Sequence, residues 1–320
     1  MLTGWQTRCV TKPACSDEEF IRLFSTLGAA GTAAHLNLAE RRVYSRRRNL
    51  EKKYDRPIHN PSSVPTDFHP ERRKFAVKDG IILVGSDAHY WPGVVTTAHR
   101  AFLKFIKDMK PAAVVLNGDV FDGASISRHS PIAWEDRPDV AGEIQACTER
   151  LDEIEAVAKN AKLFWTLGNH DARFESRLAT VAPEFVRVTG VHLKDHFPNW
   201  LPGWSLMVND EVMIKHRWKG GIHATHNNAV QSGVTMVTGH LHSLKVTPWA
   251  DYRGTRWGVD TGTLADIYGP QFRDYLEDNP RNWRSGFIIL TFENGTLRWP
   301  EMVHVIEPGI VEFRGTTIEV

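Results

Sequence analysis

The chain has 320 residues, 42% of them apolar and 24% charged, with a formal net charge of +1. Such a composition excludes a disordered chain, and the length allows one large domain with a small one beside it. No apolar stretch approaches the roughly 20 residues of a membrane-spanning helix, and Met1–Ala14 lacks the basic-then-apolar order of a secretory leader, so a cytoplasmic protein without membrane contact is expected. Cys9, Cys15 and Cys147 form no C-x-x-C pair and read as ordinary intracellular thiols. The small net charge hides an asymmetry. Met1–Lys74 carries 14 Lys/Arg against 8 Asp/Glu, while the remainder is acidic. A basic leading segment on an acidic body points to a polyanion as partner of the first part.

In chain order, Ser16-Asp17-Glu18-Glu19 reads as a capping box, and the helix it opens carries Phe20, Leu23, Phe24 and Leu27 before meeting Gly28. A short second helix is predicted over Gly31–Leu36, with Asn37 in a turn. A third runs from Ala39 to Tyr54, with Val43, Leu50 and Tyr54 on one face. Three short helices with a tight turn before a basic third one resemble a helix-turn-helix module, placed at residues 1–56. DNA is then the expected partner. Arg41, Arg42 and Ser45, early in the third helix, fall where base edges are read, and Arg46, Arg47 and Arg48 extend the basic run. Pro57, Pro61 and Pro65 mark residues 57–74 as a linker.

The body, residues 75–320, alternates apolar strands with helical patterns, the mark of α/β layering. Ile81–Val84 leads to Asp87, and a helix over Thr96–Met109 follows. Ala112–Leu116 leads to Asp119, and a helix over Ala141–Asn160 follows. Leu163–Trp165 leads to Asn169, Val212–Ile214 to His216, and Val234–Val237 to His240. Phe287–Phe292, Asn294-Gly295 and Thr296–Trp299 read as a hairpin.

Five polar segments therefore sit where buried strands end: Asp87-Ala88-His89, Gly118-Asp119-Val120-Phe121-Asp122, Gly168-Asn169-His170-Asp171, His216 and Gly239-His240-Leu241-His242. Together they supply carboxylate, imidazole and amide ligands enough for two divalent ions. Such donors suit Mn, Fe, Zn, Co or Ni, with Mn²⁺ the first choice.

This order of motifs resembles the calcineurin-like metallophosphoesterase superfamily. The resemblance implies an α/β/β/α sandwich of two mixed sheets flanked by helices, and a two-metal phosphoesterase. It places Asp87, His89 and His242 on one ion, Asn169, His216 and His240 on the other, and Asp119 between them. It implies that a metal-bridging hydroxide attacks phosphorus, that His170 is the general acid, and that Asp122 orients it. With a DNA-binding module in front, a phosphodiester in DNA is the expected substrate. A phosphomonoester, or a DNA-binding regulator with an idle body, are the alternatives. The combination also resembles proteins carried by bacteriophages.

Two departures from the superfamily stand out. Gly123 occupies the place after Asp122 where protein phosphatases have an Arg, so the usual partner of Asp171 is missing. Arg128 and Arg173 are the candidate phosphate clamps in its stead. Ser86 and Tyr90 flank Asp87-x-His89 where glycines are common, and Tyr90-Trp91 is expected to wall the mouth of the site. His223 and His226 lie near enough to replace His216, although exposed loop positions are expected for both. Trp200, Trp204, Trp249, Trp257 and Trp283 read as packing residues ahead of base-stacking ones.

Overall fold

The computed structural model describes residues 14–56, 58, 72–130, 137–276 and 279–320. The chain forms two compact units, Met1–His69 and Pro70–Val320. Most of the expected linker, including Pro57, Pro61 and Pro65, lies outside the described residues. Its end does not: Arg73–Phe75 is a strand of the second unit, held by pairing that the local sequence does not announce.

In the first unit, α1 (Asp17–Leu36) opens where Ser16 Oγ accepts the Glu19 N–H at 3.1 Å. The first two predicted helices are continuous across a kink at Gly28, whose φ of 70° lies where a side chain is disfavoured. Asn37 closes α1 in a left-handed turn, and α2 (Glu40–Tyr54) follows. Phe20, Phe24, Ala29, Ala33, Val43 and Leu50 bury one face of each helix against the other. Tyr54, expected on that face, is exposed, its hydroxyl turned to Asp17.

The second unit begins with β1 (Arg73–Phe75), β2 (Gly80–Gly85), α3 (Thr97–Met109), β3 (Ala113–Leu116), α4 (Val140–Val157), β4 (Lys162–Thr166) and α5 (Asp171–Val181). It continues with β5 (Leu201–Gly203), β6 (Leu206–Val208), β7 (Val212–Ile214), α6 (Ala224–Ser232), β8 (Thr235–Thr238), β9 (Lys245–Asp251) and β10 (Gly254–Asp260). Then come α7 (Pro270–Leu276), β11 (Gly286–Glu293), β12 (Thr296–Leu297), β13 (Glu301–Glu307), β14 (Ile310–Phe313) and β15 (Thr316–Glu319).

Among the described residues these strands make two mixed sheets. The larger runs β15-β14-β13-β11-β2-β3-β4-β5, with β12 on β11, and the smaller runs β1-β6-β7-β8-β10-β9. Strand alternation divides the core. Ile82, Val84 and Val115 face Leu206, Ile214 and Val237 between the sheets, whereas Leu83, Val114 and Leu116 face Phe102, Phe105 and Ile106 of α3. Each fully buried side chain of this size contributes about 1.5–3 kcal/mol. Helices α3 and α4 pack together over the larger sheet, and α6 packs on β8, β9 and β10 of the smaller. The result is the expected α/β/β/α sandwich.

Candidate metal centre

The five polar segments meet at one end of this sandwich. β2, β3 and β4 are neighbours and parallel, so Asp87, Asp119 and Asn169 leave the same sheet edge side by side. β7 and β8 are parallel as well, which brings His216 beside His240 and His242. The backbone bends sharply at these exits: Asp87, His89, Asp119, His240 and His242 all have φ between 41° and 71°. A left-handed non-glycine residue costs roughly 1–2 kcal/mol, and such strain gathers where side chains must be aimed. Gly168 answers a different demand. A Cβ there would lie 2.0 Å from Asp119 Oδ1, so only glycine lets the Asn169 loop close on that carboxylate.

The side chains form two overlapping sets. Asp87, His89 and His242 have ligand atoms within 4.8 Å of one another, as do Asp119, His216 and His240. The first set gathers the residues expected on one ion, and the second gathers His216 and His240 with Asp119, which is also near His89 and His170. His89 Nε2 and Asn169 Oδ1 are buried with no hydrogen-bond partner, and His216 Nε2 lies 3.0 Å from the Asp119 carboxylate. Unpaired buried polar atoms are costly, and a cation at this spot would satisfy them. The electrostatics agree. Burial works to raise the Asp87 carboxyl, but His242 and His216 hold it down to about 2. Burial likewise opposes charge on His216, yet Asp119 and Asp87 push it up to about 10. The donor set draws positive charge and fits two divalent ions.

The ligands are themselves held. His216 Nδ1 donates to the Asn117 carbonyl at 2.8 Å, leaving Nε2 as the coordinating atom. Asp122 Oδ1 accepts from His89 Nδ1 at 2.7 Å and from His170 Nδ1 at 2.9 Å, so one carboxylate sets a ligand and the candidate acid together. Thr263 Oγ1 donates to the Asp87 carbonyl at 2.6 Å. Asp171 needs no arginine partner: its oxygens accept the backbone N–H groups of Asp119, Val120, Phe121 and Gly168 and the Trp165 indole N–H at 2.8–3.1 Å. Five donors on one buried carboxylate lock the Asp119 loop to the start of α5. Burial and Asp119 raise its pKa to about 6, while the N–H groups that point at it favour its charged form.

A cavity of about 380 Å³ opens over these residues. Trp91, Phe272 and Trp283 line it along with His89, Asp119, Asn169, His240 and His242, as do Ser127, His129, Ser130, Arg137 and Arg173. The expected clamp Arg173 is thus at the site. Arg128 is exposed and absent from the cavity lining, and Arg137 stands there instead. Tyr90 does not wall the mouth: it is buried, with its hydroxyl 3.0 Å from His99 Nδ1. His223 and His226 are exposed at the start of α6, apart from both ligand sets, and His226 packs on Trp249. Glu143, Trp165, Arg137 and Phe272 are not foreshadowed in the sequence, because nothing local separates them from ordinary helix and strand residues. A buried Glu at helical spacing among Ala146, Cys147 and Leu151 is the one available signal.

In the first unit, Arg41, Arg42, Ser45 and Arg48 are exposed on α2. Arg46 is not free in the same way: its guanidinium donates to the Cys15 carbonyl at 2.7 Å and to Asp17 at 3.1 Å, and covers the Phe20 ring.

A family model described as calcineurin-like phosphoesterase matches residues 80–267. The Gene 54 protein of Mycobacterium phage D29 is 27% identical over 237 residues, covering 65% of this chain and 87% of the relative. Its counterpart in Mycobacterium phage L5 is 25% identical over 233 residues, with the same coverage. Among solved structures, Yfce, a phosphoesterase from E. coli, aligns with a TM-score of 0.32 and 15% identity over 69% of this chain and 97% of its own. A protein serine/threonine phosphatase from Saccharomyces cerevisiae aligns with a TM-score of 0.36 and 12% identity over 75% of this chain and 85% of its own. With more than half its length matched and the motif residues gathered at one centre, this chain belongs to the calcineurin-like phosphoesterase family.

Proposed function

We propose that this phosphoesterase hydrolyses phosphodiester bonds, with DNA as its substrate. The observation that carries the reading is the lining of the cavity. Besides metal-ligand candidates it is lined by the rings of Phe272 and Trp283, which pack on His242, and by Ser127, Ser130, Arg137 and Arg173, the last bonded to Asp122 and His170. A diester has two arms to place, and this lining offers apolar rings for a base or sugar and cationic groups for a neighbouring phosphate. Supporting it, Arg41, Ser45, Arg48 and Lys52 follow one another at helical spacing along exposed α2, a face suited to a phosphate backbone.

In this reading Asp87, His89 and His242 hold one divalent ion, Asn169, His216 and His240 a second, and Asp119 lies between the sets. Mn²⁺ is the metal we propose for both. Two such ions offset the phosphate's charge and lower the pKa of a bound water toward neutrality. Asp122 fixes the His170 ring through Nδ1, which leaves Nε2 as the atom that serves the departing oxygen. Phe272 and Trp283 pack on the His242 ring and make that side of the site apolar.

With Mn²⁺ present, bis(p-nitrophenyl) phosphate is expected to be hydrolysed with a kcat/KM at least about tenfold above that for p-nitrophenyl phosphate, and DNA to be cut by wild type and not by Asp119→Asn. A clear preference for the monoester overturns the diester reading. DNA bound and left intact by the metal-loaded wild type overturns the assignment of DNA as substrate.

A further inference from the structure

The stem of Arg173 passes close over Gly123. Gly123 has a φ of 67°, and a Cβ built on it would lie 3.2 Å from Arg173 Cδ, 3.4 Å from Arg173 Cβ and 3.0 Å from the Phe121 ring. The stem of Arg173 therefore lies tight against the place where a side chain at 123 would start. It comes from the first turn of α5, with its carbons packed over the glycine and its head in the cavity. A side chain at 123 would crowd this path for Arg173 and would also be strained at that φ.

The guanidinium is held there by two bonds. Nη1 donates to the Asp122 carbonyl at 2.8 Å, and Nη2 donates to His170 Nε2 at 3.0 Å. A guanidinium only donates, so the lone pair of His170 Nε2 is taken up by Arg173. That nitrogen is the one the hydrolysis needs facing the ester. Arg173 thus has two places: on His170, as observed, or on an anion entering the cavity that both residues line.

We propose that Arg173, entering over Gly123, is the phosphate-binding residue of this site, and that on meeting a phosphate it leaves His170 Nε2, which then takes up a proton from solvent and passes it to the leaving oxygen. The inference rests on the phosphoesterase reading above and deepens it. A phosphate is a stronger acceptor for a guanidinium than a neutral imidazole, because the bond is charge-assisted and presents two oxygens to the fork. The Asp122 carbonyl bond lets the stem stay in place while Nη2 changes partner. The competing view makes Arg173 a strut that merely braces the Asp122 loop.

The test uses the full chain loaded with Mn²⁺, with inorganic phosphate as the probe. Calorimetry on wild type, Arg173→Ala and Arg173→Lys should show phosphate binding weakened about ten- to hundredfold in both variants at unchanged metal content. Arg173→Lys keeps the stem over Gly123 and the charge, so it preserves the fold if the alanine variant does not. Millimolar guanidinium ion should restore hydrolysis to Arg173→Ala several-fold and leave wild type unmoved, an effect no strut would give. Equal phosphate affinity in wild type and Arg173→Lys overturns the proposal while the phosphoesterase reading stands. Failure of the metal-loaded wild type to bind phosphate or hydrolyse any ester overturns both.

Discussion

Glu143 faces inward from the first turn of α4, where helical periodicity asks for an apolar residue, and is fully buried. One of its oxygens accepts the Ala124 N–H at 3.0 Å, tying α4 to the loop that carries Asp122 and Gly123. Burial, with Asp122 nearby, pushes its carboxyl up to about 7 from 4.5. The folded state therefore binds this proton more tightly than the unfolded one. The stability linked to it is full below about pH 4.5 and lost as pH rises through 7, by at most about 3 kcal/mol. Glu143→Gln keeps the acceptor and removes the titration. Urea unfolding of the chelator-treated protein at pH 5 and pH 8 should show wild type losing stability relative to the variant at the higher pH. A constant difference across that range contradicts the account. At this scale the ligands are legible in the sequence because their types and order are unusual. Glu143 and Trp165 are not, since their roles come from what packs against them.

Elements differ in how plainly they announce themselves. β2, β3 and β4 read directly as apolar runs ending in polar motifs, because strands buried on both faces leave no alternation to confuse. The β11–β12 hairpin is marked by Asn294-Gly295, whose backbone lies in the left-handed region such turns require. β1, β5 and β6 are three residues each and exist only through their partners, so no local pattern reveals them. In the first unit the helices are legible from the Ser16 cap and the spacing of Phe20, Phe24, Val43 and Leu50. Which arginines stay free on α2 is not, since Arg46 is committed to Cys15 and Asp17 only once the helices pack. The exposed face leads to a test. Arg41→Glu, Arg42→Glu and Arg48→Glu together should weaken DNA binding and flatten its salt dependence by about 0.9 for each DNA phosphate no longer neutralised, with bis(p-nitrophenyl) phosphate hydrolysis unchanged. Fluorescence anisotropy across a salt series measures this, and an unaltered slope and affinity reject α2 as the DNA-binding face.

At the scale of the whole molecule, the two compact units differ in charge. Met1–His69 carries 11 Lys/Arg against 7 Asp/Glu, whereas Pro70–Val320, with 28 against 31, forms the sandwich that gathers the candidate metal ligands. Among the described residues no helix is long and apolar enough to cross a membrane. The sandwich brings five distant loops together by placing parallel strand ends of two sheets side by side, and the strain at Asp87, Asp119 and His240 is carried by the buried sheets behind them. Everything proposed for this chain depends on that convergence holding two ions. The most direct measurement is a calorimetric titration of Mn²⁺ into the chelator-treated full chain, beside Asp119→Asn. Two ions per wild-type chain, with no more than one retained by Asp119→Asn, is the expected result. A wild-type stoichiometry of one or none, or an unchanged count in Asp119→Asn, contradicts the account.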